Sequence, residues 1–212
     1  MPSVDVAAAL RAVRFMPVVT IEDAEDALPL GEALLEAGIS LVEVTFRTKA
    51  AQRAIARLRT RLPELLVAAG TVLGTPVVEK AMDAGAAFVV SPGLNPTVVD
   101  YCRSRRIPLV PGANAPSEIE IGRERGVAVF NFFPAETSGG APLLRALTRP
   151  FVGIEYLCSG GVTLANLGDY LAIPQVLACA GSWVAPPEAI AQHRFPEITE
   201  RARATLAAIA PG

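Results

Sequence analysis

Eight short apolar runs, each followed by a turn signal and then by residues at helical spacing, constrain this 212-residue chain more than any other feature. In order they are FMPVVT (15–20), SLVEVT (40–45), LLVAAGT (65–71), AFVVS (87–91), IPLVP (107–111), VAVFNF (127–132), IEYLC (154–158) and VLACAG (176–181). Several are apolar throughout, as parallel strands covered on both faces must be. The segments between them, such as EDAEDALPLGEALLEAG and TPVVEKAMDAG, carry apolar residues at helical spacing and end on Gly, the residue suited to a helix C-terminus. Eight strand–helix units in a chain of this length predict an α/β fold with one domain over residues 1–212, a closed (β/α)8 TIM barrel. A doubly wound open sheet is the alternative that the pattern leaves open. Residues 3–12 read as an extra helix before the first strand, and residues from about 196 to 210 as the helix completing the outer ring.

A formal net charge of -2 gives no electrostatic footprint for nucleic acid or for an anionic membrane surface, so neither partner is expected. No apolar run reaches membrane-spanning length without Gly, Pro or polar interruption. The start, MPSVDVAAALRAVRFM, lacks a basic segment followed by an apolar one, so no signal peptide is read there. Cys102, Cys158 and Cys179 form no CxxC and are odd in number, which fits small buried hydrophobes in a reduced protein. The expectation is a cytoplasmic protein.

In such a barrel, reactive side chains gather at the C-terminal ends of the strands. Glu43 in SLVEVT is the first candidate: alternation puts Leu41, Glu43 and Thr45 on one face, and if Val42 and Val44 face the helices, Glu43 points into the barrel. A carboxylate there is costly unless paired, so the choice lies between functional use and a buried ion pair with Arg47. Thr71 ends the third run, and Pro92 with Gly93 follows the fourth. Gly160 and Gly161 in CSGGV follow the seventh run, and Gly181 and Ser182 in CAGSW span the end of the eighth, where barrels recurrently build phosphate sites. Glycine lets backbone N–H groups approach an anion closely, and Ser182 adds a hydroxyl near a helix N-terminus. His193, the sole histidine, lies near a helix end and reads as a surface residue, leaving a Ser-His-Asp relay or histidine-based metal site little to build on.

The ordered motifs LVEVTFRT, AAGTVL, VSPGL, VPGANAPSE, FNFFPAE, CSGGV with NLGDYLA, and AGSW resemble those of 2-keto-3-deoxy-6-phosphogluconate (KDPG) aldolases and the related 4-hydroxy-2-oxoglutarate (KHG) aldolases, over about residues 13–190. The resemblance implies a homotrimeric barrel and a class I aldolase that cleaves a 2-keto-3-deoxy acid to pyruvate and an aldehyde, with no cofactor. In that family a strand-six lysine forms an imine with the keto carbon, and a strand-two glutamate moves protons. Carried over, Glu43 matches the acid/base, Arg47 a substrate-binding arginine, and Thr71 and Pro92 the pyruvate-end contacts. Phe133 matches an aromatic beside the substrate, Ser159 the hydroxyl of the family's Pro-Thr-Gly-Gly, and Gly160, Gly161, Gly181 and Ser182 the phosphate cradle.

The departure is Asn131, which stands at the lysine position. Its amide lone pair is delocalised into the carbonyl, so it cannot form the imine. Only Lys49 and Lys80 remain as lysines, the first near where the second helix should begin and the second within a helical segment. Three readings stay open: a non-covalent 2-keto-acid enzyme, with a divalent metal as an optional helper in aldol cleavage, enolisation or decarboxylation; a disabled binder of keto acids with or without phosphate; and a scaffold whose ligand binding is incidental.

Overall fold

The computed structural model describes residues 4–209. Ser3 and Ala210, placed by sequence in the first and last helices, lie outside the described residues, as do the outermost ends of the domain drawn over 1–212. Eight parallel strands form: β1 Phe15–Val19, β2 Leu41–Thr45, β3 Leu66–Gly70, β4 Phe88–Val90, β5 Leu109–Val110, β6 Val129–Phe132, β7 Glu155–Ser159 and β8 Val176–Gly181. Their order is β5-β4-β3-β2-β1-β8-β7-β6. A parallel bridge between Gly112 and Asn131 joins the two ends. There the Asn131 N–H donates to the Pro111 carbonyl at 2.8 Å, and the Ala113 N–H donates to the Asn131 carbonyl at 2.9 Å. The sheet is therefore a closed barrel and not a doubly wound open sheet.

Side-chain alternation builds two layers. Met16, Leu41, Ala68, Phe88, Val90, Val110, Leu157 and Ala178 meet inside the barrel. Val42, Val44, Val67 and Ala69 pack outward against helices, and Phe130, Phe132, Tyr156 and Cys158 do the same on the far side. The expected parity of β2 is thus observed. The N-terminal helix, Val6–Val13, is capped by the Asp5 carboxylate, which accepts from the Ala8 N–H at 3.0 Å. Its Leu10 is fully buried within the interior cluster, beside residues from the starts of the strands. That helix therefore stops one end of the barrel and leaves the strands' C-terminal ends as the open mouth.

The strands are shorter than the apolar runs. IPLVP yields only Leu109–Val110, because Pro108 and Pro111 bring no N–H to a ladder. β2 ends at Thr45, so Arg47 lies in the turn beyond it, off the strand parity that would have faced it inward. The last helix runs Phe195–Ile209. Among the described residues no helix is long and apolar enough to cross a membrane. All three cysteines are buried and free of disulfides, and burial pushes the Cys102 thiol up to about 11, which keeps it unreactive.

Candidate active site

A cavity of about 470 Å³ opens at the mouth, and all eleven residues singled out by sequence line it. Glu43, Arg47, Thr71 and Pro92 come from β2 to β4 and the turns after them. Asn131, Phe133, Ser159, Gly160, Gly161, Gly181 and Ser182 come from β6 to β8 and their exits.

Glu43 is only 6% exposed, and its carboxyl lies over Gly70, where an added Cβ would come within 1.8 Å of Oε1. Burial pushes its pKa up to about 7, partly offset by the Arg47 guanidinium acting through space. Arg47 is exposed and acts on the carboxylate only through space, so among the described residues the buried ion pair is not formed. A base near neutrality inside a cavity is an arrangement suited to moving protons.

The raised pKa has a sign. The folded chain holds a proton on Glu43 that the unfolded chain releases near 4.5, so this residue favours folding fully below about 4.5 and less as pH rises through about 7. Glu43→Gln, which removes the charge and keeps the shape, should flatten this slope. At pH 7.5 it should be more stable than the parent by roughly 2–3 kcal/mol in urea unfolding, with little difference at pH 4.5. Equal pH profiles for the two proteins would show that the carboxyl is not desolvated.

Asn131, 3% exposed, is held at both ends of its amide. Ser159 Oγ donates to its Oδ1 at 2.7 Å, and its Nδ2 donates to the Ser91 carbonyl at 3.3 Å. Thr71 takes φ +57, a left-handed conformation that strains a β-branched residue by about 1–3 kcal/mol and belongs with ligand-contacting turns. Pro92 follows the buried Ser91, whose hydroxyl donates to the Gly93 carbonyl at 2.9 Å.

On the opposite rim, Gly160 and Gly161 have φ +89 and +83, and added Cβ atoms would meet the Phe133 ring at 2.9 Å and the Glu136 Cβ at 2.7 Å. Both conformation and contact require glycine here. Glu136 braces this turn: its N–H donates to the Gly160 carbonyl at 3.0 Å, and its carboxylate accepts from the Tyr170 hydroxyl. The N–H groups of Gly160, Gly161 and Ser182 have no acceptor among the described residues, which leaves them available to an anion. Ser182 is exposed and does not cap a helix. The next helix, Pro187–Ala191, begins five residues later with Pro186 at its cap, so the expected helix-terminus contribution gives way to a loop donor. Gly181 lies against Trp183, where an added Cβ would come within 1.9 Å of the indole ring.

Sequence reasoning passed over the Ser91 carbonyl, Thr163 and Trp183, which also line the cavity, and the Glu136–Tyr170 brace behind it. Trp183 belongs to the AGSW motif, whereas a backbone carbonyl leaves no mark in a sequence. The Trp183 ring sits 4.5 Å from Phe15 and donates through Nε1 to Thr205 at 3.0 Å. Lys49 and Lys80 are both exposed, and neither reaches the cavity. His193 pairs with Asp26 at 2.9 Å and stacks on Phe195, in keeping with a surface role. Glu43 is the one carboxylate of the cavity lining, and no group of three His, Cys, Asp or Glu converges among the described residues. That donor set does not fit a protein-held divalent ion.

The sequence profile described as KDPG and KHG aldolase matches residues 6–201. The chain belongs to the KDPG and KHG aldolase family. Within it, the chain is 46% identical over 198 residues to the 2-dehydro-3-deoxy-phosphogluconate aldolase of Treponema pallidum, covering 93% of this chain and 94% of that one. It is 38% identical over 188 residues to the KHG/KDPG aldolase of Escherichia coli K12, covering 89% and 88%. The KDPG aldolase of Legionella pneumophila, solved with pyruvate captured as a covalent carbinolamine, superposes with a TM-score of 0.91 at 38% identity, over 94% of this chain and 97% of that one. The Zymomonas mobilis ZM4 KDPG aldolase with 3-phosphoglycerate gives 0.89 at 35% identity, over 96% and 95%.

Proposed function

We propose that this member of the aldolase family binds a 2-keto acid, with or without phosphate, and works on it without an imine. Asn131 takes the place of the family lysine, so class I cleavage is lost and the proton chemistry of Glu43 is what is left. The observation that carries this reading is the cavity lining, which combines one buried carboxyl near neutrality with a single guanidinium and no lysine. As a carboxylate, Glu43 removes a proton from the carbon next to the ketone. The C–H electron pair becomes the C=C bond of an enolate, and the carbonyl pair moves onto oxygen. While the enolate lives, the Glu43 carboxyl trades its proton with water that enters the open mouth, and return of a solvent-derived proton restores the keto acid, so the net reaction is exchange of that hydrogen with solvent. Pyruvate in the Legionella pneumophila relative and 3-phosphoglycerate in the Zymomonas mobilis one support a three-carbon keto acid and a phosphate-bearing end. Gly160, Gly161, Gly181 and Ser182 would hold that end, with Arg47, Thr71, Pro92, Phe133 and Ser159 at the rest of the ligand. A homotrimer, readable by light scattering, and a reducing cytoplasmic setting complete the proposal.

The test is loss of the pyruvate methyl proton signal in D2O. The chain should accelerate it over buffer, and Glu43→Gln should return it to the buffer rate. Binding without acceleration would reduce the protein to a ligand-holding relative, and no binding at all would favour the scaffold reading.

A further inference from the structure

The orientation of the Asn131 amide follows from its neighbours. The Ser91 carbonyl can only accept, so the amide atom 3.3 Å from it is Nδ2. The other amide atom is therefore Oδ1, and it receives the only hydrogen of the Ser159 hydroxyl at 2.7 Å. One Nδ2 hydrogen is then left over, on a side chain that is 3% exposed and lines the cavity. A spare donor at such a place costs free energy until an acceptor reaches it.

We infer that the Asn131 amide donates this hydrogen to the oxygen on carbon 2 of the ligand, and that Ser159 is the positioning residue that holds the amide this way round. The site thereby selects 2-keto acids over 2-hydroxy acids. The inference rests on the keto-acid reading above and adds the basis of selectivity. A ketone oxygen accepts and brings no hydrogen of its own. An alcohol oxygen accepts the same hydrogen but brings an O–H of its own, which meets an Nδ2 that only donates and an Oδ1 that already takes the Ser159 hydrogen on one of its two lone pairs, so the alcohol is the more poorly paired ligand.

Calorimetry with pyruvate and lactate on the intact protein tests this. The parent chain should bind pyruvate roughly tenfold more tightly than lactate. Asn131→Asp replaces the donor with an acceptor and should invert the order. Ser159→Ala should bring the two affinities to within about threefold by freeing the amide, while Ser159→Thr should keep the parent preference. A loss of preference in Ser159→Ala that Ser159→Thr does not share cannot come from packing alone, and thermal unfolding of each variant checks that it is folded. Pyruvate binding with an equal affinity for lactate, or a ratio unmoved in both Asn131→Asp and Ser159→Ala, overturns the inference and leaves the keto-acid reading standing. Failure of pyruvate to bind at all overturns both.

Discussion

Asn131→Lys should gain pyruvate-releasing aldol cleavage by on the order of 10³-fold or more over the parent chain, and borohydride should trap pyruvate on residue 131. The position is prepared for an amine. It lies on β6 beside the cavity, 3% exposed, and burial lowers a lysine pKa toward the range where the neutral nucleophile is populated. The Ser91 carbonyl and the Ser159 hydroxyl, now bound to the amide, are both able to accept from the amine. The new cation should also act back on Glu43 and bring its pKa down from about 7, which carboxyl NMR titration of the two proteins would read directly. A folded variant that binds pyruvate but is never trapped would mean that an amine at residue 131 is not all that the pocket needs for imine formation. Equal Glu43 titrations in the two proteins would remove the coupling between the two positions.

Gly112→Ala should lower stability by more than about 4 kcal/mol, or leave the protein insoluble, although the change adds one methyl group. An added Cβ would lie 2.0 Å from the Pro92 carbonyl oxygen and 2.6 Å from the Gly93 nitrogen, both backbone atoms. Gly112 cannot retreat freely, because it bridges to Asn131 where the two ends of the sheet meet. Gly93→Ala is the control: nothing lies within 4 Å of its added Cβ, so it should stay within about 0.5 kcal/mol of the parent. Denaturant midpoints of the pair decide the matter, and a Gly112→Ala protein as stable as the control would mean that the closure is looser than its geometry.

The sequence made the layers of the barrel legible because a strand's period of two sorts side chains between two environments. In LVEVT, Leu41 joins the interior while Val42 and Val44 meet helices, so alternation alone aims Glu43 into the barrel. The Gly pair at 160–161 was legible for a similar reason, since few other residues tolerate such a turn. What stayed hidden depends on groups distant in the chain. Ser159 grips Asn131 across 28 positions, and Ser91 reaches it across 40, through a carbonyl that every residue possesses. The left-handed backbone of Thr71 contradicts its own side-chain preference and follows only from the packed barrel. Strand lengths were overestimated for β5 because apolarity was read where missing N–H groups decide.

Trp183 is the chain's one tryptophan, and it touches the mouth through Gly181 on one side and the terminal helix through Thr205 on the other. Indole emission from this molecule consequently comes from a single lamp placed between the ligand chamber and the terminal helix. A spectral change that follows added keto acid reports occupancy, while a change that follows denaturant reports undocking of that helix, with no label attached and no second indole to blur either signal.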